Sequence, residues 1–158
     1  RLMDVIVGGW NYNHVMIVQS GSPLAVTQTS SSTDAGYGAQ RPSFAPGEDA
    51  HSVCSGGSLL QRLYANKFMA TGAYAYGNVP RTLPCLGPGY FNSDISVNKK
   101  FHVTERVSAE FRAEALNAFN TVQLAAPGSS NITNGSFGTV NSQIGFNRLI
   151  QMGGRIQF

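Results

Sequence analysis

The stretch Ile150-Gln151-Met152-Gly153-Gly154-Arg155-Ile156-Gln157-Phe158 decides how the rest of this chain is read. Ile150, Met152, Ile156 and Phe158 share one parity; Gln151, Arg155 and Gln157 share the other. Alternation with a period of two puts successive side chains on opposite sides of an extended backbone. The segment therefore reads as a strand with one apolar and one polar face. It stops on an aromatic residue, whereas soluble chains usually end in a frayed, polar terminus. Two settings fit: a strand facing an apolar solvent on one side, and an edge strand of a soluble sandwich. The segment alone does not choose between them.

The composition narrows the setting. Of 158 residues, 12% are charged, 18 are Gly, and mean hydropathy is −0.11. That charge is about half the usual share for a soluble domain, yet the chain is not greasy. Disordered tails carry fewer aromatics and usually more charge. Coiled coils need roughly half Ala, Glu, Lys, Leu and Arg. A membrane helix needs about 20 apolar residues in a row. The longest uncharged stretch, 5–33, is broken by Gly8, Gly9, Asn11, Asn13, Ser20, Gly21 and Pro23. What remains is an all-β or β-rich protein. The chain begins Arg1-Leu2-Met3, with no signal-peptide pattern, so the expectation is a piece of a longer protein.

Working outward from the end, four strand-like segments emerge, at about 5–27, 91–103, 106–120 and 144–158. In the first, Ile6, Trp10, Tyr12, Met16 and Val18 oppose Gly9, Asn11 and Asn13. In the second, Ile95, Val97, Phe101 and Val103 oppose Asn92, Asp94, Ser96, Asn98, Lys100 and His102. Lys99 falls on the apolar parity, where its long stem can snorkel to a membrane interface. The third segment is ambiguous. Glu, Ala, Arg and Leu give it helix propensity, and Val107, Phe111, Ala115, Ala118 and Phe119 make a helical stripe. Alternation also works there, but propensity alone favours helix.

Between the strands lie two long connections, 28–89 and 121–143. The first is rich in Ser, Thr, Gly, Ala and Pro, with room for a short helix in 61–70 and a short strand at 74–77. A loop of about 60 residues far exceeds the usual limit of roughly 12–15 in a compact domain. Strands two and three, by contrast, are joined tightly near Thr104-Glu105. Short turns on one side and long loops on the other is the asymmetry of outer-membrane barrels.

At this point the residues resemble a known family. Gly8-Gly9-Trp10 with Gln19-Ser20-Gly21-Ser22-Pro23, and Gly77-Asn78-Val79-Pro80-Arg81 with Gly87-Pro88-Gly89, are similar to its strand and loop motifs. So are 92–101, NSDISVNKKF, and 111–120, FRAEALNAFN, together with the closing Arg148-Leu149-Ile150-Gln151 and Phe158. In this order the set resembles the C-terminal barrel of TonB-dependent outer-membrane receptors, in the Oar-like group with a carboxypeptidase-regulatory-like N-terminal domain. Leu116, where an aromatic is expected, and Cys85 depart from the pattern. The resemblance implies an all-β, antiparallel, up-and-down part of a transmembrane barrel, with 106–120 a strand. It implies that 1–158 is a C-terminal fragment of that barrel, in the outer membrane of a Gram-negative bacterium.

Physics accepts that reading. A membrane strand needs about 9–11 residues. Four strands cannot close a barrel, for which about eight is the practical minimum. The implied partners are outer-membrane lipid, the rest of the barrel and its plug domain, the TonB system through a missing N-terminal part, and the barrel-assembly machinery. Ile150, Met152, Ile156 and Phe158 would form the strand that this machinery engages.

Few residues suggest chemistry. His14, His51 and His102 are scattered, no catalytic motif is present, and neither enzyme activity nor a cofactor is expected. Glu110, Arg112, Glu114 and Arg155 read as lumen-facing charges in a cross-strand ladder. Cys54 and Cys85 both lie in the long loop, which would be extracellular and disulfide-permissive. A bond between them would close about 30 residues and contribute about 3 kcal/mol in the chain-entropy model; two unrelated thiols remain the alternative. Net charge is +3, but Lys and Arg are spread out, which argues against nucleic acid. Asn131-Ile132-Thr133 and Asn134-Gly135-Ser136 read as turn chemistry. The rival function is a soluble or cell-surface β-protein for adhesion or carbohydrate binding, with Trp10, Tyr12, Tyr74 and Tyr76 as a stacking platform. It requires a second sheet over Val107, Phe111, Ile150 and Ile156.

Overall fold

The computed structural model describes residues 6–29, 40–72 and 74–158. Val5, at the start of the expected first strand, and 30–39, within the expected long loop, lie outside the described residues. The described chain is β-rich, apart from two short 3-10 turns at Ser52–Cys54 and Ala65–Lys67 and the helical residues Ile6 and Val7, near the start of the expected first strand. It divides into two compact units, one holding 1–18, 91–122 and 145–158, the other 19–90 and 123–144.

Four strands make the first unit: β1 (Trp10–Gln19), β4 (Tyr90–His102), β5 (Ser108–Leu116) and β8 (Leu149–Gln157). The short strands β2 (Ser43–Phe44), β3 (Phe68–Met69), β6 (Gln123–Leu124) and β7 (Gln143–Ile144) belong to the second unit. The sheet order is β1-β4-β5-β8, which is also their order in the chain. The sheet is therefore an up-and-down meander, with β4–β5 and β5–β8 antiparallel. β1 runs antiparallel to β4: the Lys100 amide donates to the Gly9 carbonyl at 2.9 Å, while further along Asn13 Nδ2 donates to Ser96 Oγ at 3.4 Å.

The strands are shorter than the sequence suggests. β1 ends at Gln19 rather than running to 27, because 20–27 turns into the second unit and makes only single bridges there, Pro23 to Leu86 and Thr27 to Asn131. β8 starts at Leu149 rather than 144. The segment 106–120 is a strand at its centre, against its helix propensity. Its residues pair on both sides, with β4 and with β8, and two ladders outweigh a propensity difference of a few tenths of a kcal/mol per residue. The tight turn between β4 and β5 closes through the amides of Val103 and Thr104, both donating to the Val107 carbonyl at 3.0 and 3.1 Å.

The second unit is where the two long connections go. Their described residues fold together around one core of Leu24, Val26, Val53, Leu63, Phe68, Val79, Leu83 and Phe137. Phe68 meets Phe137 edge-on, with centroids 5.7 Å apart. Backbone bonds tie the connections across: Arg62 N donates to the Gly138 carbonyl at 2.7 Å, and Val140 N to the Leu60 carbonyl at 2.8 Å. Gly138 permits this approach. Its φ is +66°, and a Cβ there would lie 2.2 Å from the Leu63 oxygen. Buried Gln28 holds Thr71, accepting from its amide at 2.8 Å and donating to its hydroxyl at 2.6 Å. The helix expected in 61–70 is a single 3-10 turn, and the strand expected at 74–77 is absent; Tyr74 instead sits in a turn with φ +59°.

Candidate functional site: the two faces of the sheet

The register sorts the side chains of the sheet. On one face Ala109 faces Ile156, Phe111 faces Gly154, Ala113 faces Met152, and Ala115 faces Ile150. β4 extends it with Ile95, Val97 and Phe101 opposite Ala115, Ala113 and Ala109. The pairing of large with small residues lets β8 side chains lie over an alanine-rich β5, and Gly154 leaves room beside the Phe111 ring. Phe111, Ile150, Met152 and Ile156 are all exposed, as is Phe158 just past β8. A soluble sandwich would pack such a face against a second sheet, whereas here these side chains are exposed.

The opposite face is polar. Glu110 lies between Lys100 of β4 and Arg155 of β8 in one cross-strand row. Arg112 lies between Asn98 and Gly153, and Glu114 between Ser96 and Gln151. Arg112 forms an ion pair with Glu114, its neighbour two residues on. Gly153 offers no side chain, so Glu110, Arg112 and Arg155 border a shallow depression of about 230 Å³. Glu110, Arg112, Glu114 and Arg155 all stand on this face.

Lys99 behaves differently from the expectation. Its amine does not reach outward but is buried on the apolar face. It donates to the Ile6 carbonyl at 2.7 Å and sits 4.5 Å above the Trp10 ring and 5.2 Å from that of Phe101. Gly9 makes this arrangement accessible, since its φ is +74° and a Cβ would stand 2.4 Å from the Lys100 oxygen.

Asn92, Asp94 and Asn117 of the motifs join in one network. Asp94 Oδ1 accepts from the Asn117 amide at 2.8 Å and from Asn92 Nδ2 at 3.0 Å. Asn117, at φ +49°, donates through Nδ2 to the carbonyls of Thr121 and Phe146 at 3.1 and 3.0 Å. The network ends β5 and fastens the start of the next connection to it. The left-handed tolerance of Asn is the signal that could have identified this position in the sequence. His14 Nε2 bonds Ser93 Oγ at 2.7 Å on the apolar face. Among the described residues, no group of three His, Cys, Asp or Glu side chains gathers as a metal site would require.

Cys54 and Cys85 are joined in the second unit, with Cα atoms 5.4 Å apart. Both pack against its core. Tyr74 and Tyr76 are exposed in this unit, whereas Trp10 and Tyr12 stand on β1 of the sheet unit. Among the described residues no helix is long and apolar enough to cross a membrane, a statement that does not bear on crossing by strands.

The family model described as "Outer membrane beta barrel domain" matches residues 1–151. No curated protein and no solved structure matches the chain.

Proposed function

The chain belongs to the outer membrane beta barrel domain family, a barrel protein of the Gram-negative outer membrane, and from that premise we propose that it forms part of the wall of a TonB-dependent receptor of the Oar-like group. The observation that carries the reading is the sorted sheet: an uncovered apolar face backed by a face of Lys100, Glu110, Arg112, Glu114 and Arg155. In a barrel wall the apolar face meets lipid and the charged face a wet lumen. Among the described residues the sheet ends at β1 and β8, edges that lipid cannot hydrogen-bond, so further strands would complete the ring. The receptor identity rests on the ordered motifs from Gly8-Gly9-Trp10 to Arg148-Leu149-Ile150-Gln151. The parent protein would bind a ligand with its outer loops and plug, and import it with energy passed from the inner membrane. This chain's own part would be to build the wall, without catalysis, and to offer β8 with Phe158 to the assembly machinery.

Two experiments test the two levels separately. Site-directed crosslinking of the full-length protein to TonB in cells should yield an adduct; failure at every plausible N-terminal position would remove the receptor identity and leave the barrel. Deletion of Phe158 should reduce insertion into the outer membrane. Unchanged heat-modifiable mobility on gels would remove the assembly role.

A further inference from the structure

The geometry points to a preformed pocket for a small, uncharged, apolar molecule within the second unit. A cleft of about 330 Å³ opens between 22–25, 87–88 and 124–130, so both long connections supply its walls. Its volume lies within the roughly 300–1,000 Å³ typical of small-molecule sites. Pro23, Ala25, Leu63, Pro88, Ala126 and Pro127 give it an apolar surface, and none of the described residues lining it is charged. Two of the lining hydroxyls are engaged internally: Ser129 Oγ accepts from the Asn131 amide at 3.1 Å, and Ser130 Oγ bonds Thr27 Oγ1 at 3.1 Å.

The walls are fixed before any ligand arrives. Gly87 N donates to the Ser22 carbonyl at 2.9 Å, Leu24 N to the Cys85 carbonyl at 3.1 Å, and Leu83 N to the Leu24 carbonyl at 2.7 Å. The disulfide holds Cys85 from behind. Gly138 N donates to the Ser129 carbonyl at 3.2 Å, fixing the wall from the second connection. A site ordered in advance loses little affinity to ordering on binding. A charged ligand would lose its hydration here and meet no counter-charge, so the pocket selects against charge of either sign. This goes beyond the receptor reading, because recognition by this unit needs neither TonB nor transport.

The test uses the full-length protein in lipid nanodiscs and three probes sharing one hydrocarbon cage: 1-adamantanol, adamantane-1-carboxylate and 1-adamantylammonium. Ligand-observed NMR titration should show saturable binding of the alcohol and affinities at least about tenfold weaker for both ions. Ala25→Trp and Ala126→Trp fill the cleft from different connections, and each should abolish binding of the alcohol; Ala75→Trp, outside the cleft, should not. Protease resistance and a retained disulfide report whether each variant is folded. Should both filling variants misfold, saturable binding of the alcohol beyond that of protein-free nanodiscs, together with the charge series, still decides. Equal affinity for all three probes, no saturable binding beyond protein-free nanodiscs, or undiminished binding by folded variants with filled clefts would overturn the pocket.

Discussion

The amine of Lys99 lies 4.5 Å from the centroid of the Trp10 ring, and both side chains donate to one acceptor, the carbonyl of Ile6. A cation on the apolar face of a membrane strand would ordinarily be a cost. Near an interface that cost is about 0–1 kcal/mol, rising to roughly 2–4 at the bilayer midplane. Lys99 stands close to the tight-turn end of β4, so the smaller figure applies. Against it stand a hydrogen bond worth about 0.5–1.5 kcal/mol and cation–π contacts of about 0.5–2. Lys99→Met keeps the stem and removes the charge, and it should destabilise the folded protein by about 1 kcal/mol. Urea unfolding in detergent measures this. A rise in the midpoint would mean that desolvation of the cation dominates and that the contacts with Ile6 and Trp10 are incidental.

The bond between Cys54 and Cys85 spans a sequence separation of 31 and packs against the core of the second unit. In the chain-entropy model a loop of that size contributes about 3 kcal/mol, or roughly a hundredfold in the open population. Replacing both cysteines by alanine should raise the rate of limited proteolysis within 41–90 by about that factor, where cleavage follows local opening. Cleavage sites in β4, β5 and β8 should stay as resistant as before. Equal rates within 41–90 would show that the core holds these segments without the bond.

The parts legible in the sequence are those whose signal is local. Alternation along 150–158 and 91–103 assigned each side chain its face, because a period of two leaves no freedom once a strand is granted. Alternation also holds at 106–120, but there Glu, Ala, Arg and Leu favour helix and only the ladders to β4 and β8 enforce extension. The second unit was not legible. Val26, Val53, Val79 and Phe137 meet in one core from irregular segments far apart in sequence, so no periodicity announces them. The burial of Lys99 was equally hidden, since its partner is a backbone carbonyl that Gly9 brings into reach. The cleft between the connections follows from that same distant packing.

On the polar face, Glu110 stands between Lys100 and Arg155 in register. Glu110→Lys would place three cations in one row. Directly opposed like charges cost up to about 1 kcal/mol each at such positions. The variant should unfold at lower urea concentration, and adding Lys100→Glu should restore part of the loss. Salt at about 1 M, where the Debye length is about 3 Å, should shrink the difference. A midpoint indifferent to both the substitution and the salt would show that the row is fully solvated and energetically silent.

Asp49 precedes the 3-10 turn Ser52–Cys54, and its carboxylate accepts from the amides of Ser52 at 2.7 Å and His51 at 2.9 Å. Those bonds favour the charged form, Ser52 most and His51 next, and lower its pKa below the ordinary 3.8. The sign follows directly. A carboxyl whose folded value is depressed contributes stability that is fully present above its unfolded value, and loses it as pH falls through the folded value. The turn leading into Cys54 should therefore loosen only in acid below about pH 4. Asp49→Asn keeps an acceptor but removes the ionisation, so it should abolish this part of the acid sensitivity and leave the turn at neutral pH no better protected than the native turn in acid. Hydrogen exchange at the amides of His51 and Ser52, compared between pH 3 and pH 6 after correction for intrinsic rates, reads it out. Identical protection of the native turn at both pH values would show that the two amide bonds do not depend on the charge of Asp49.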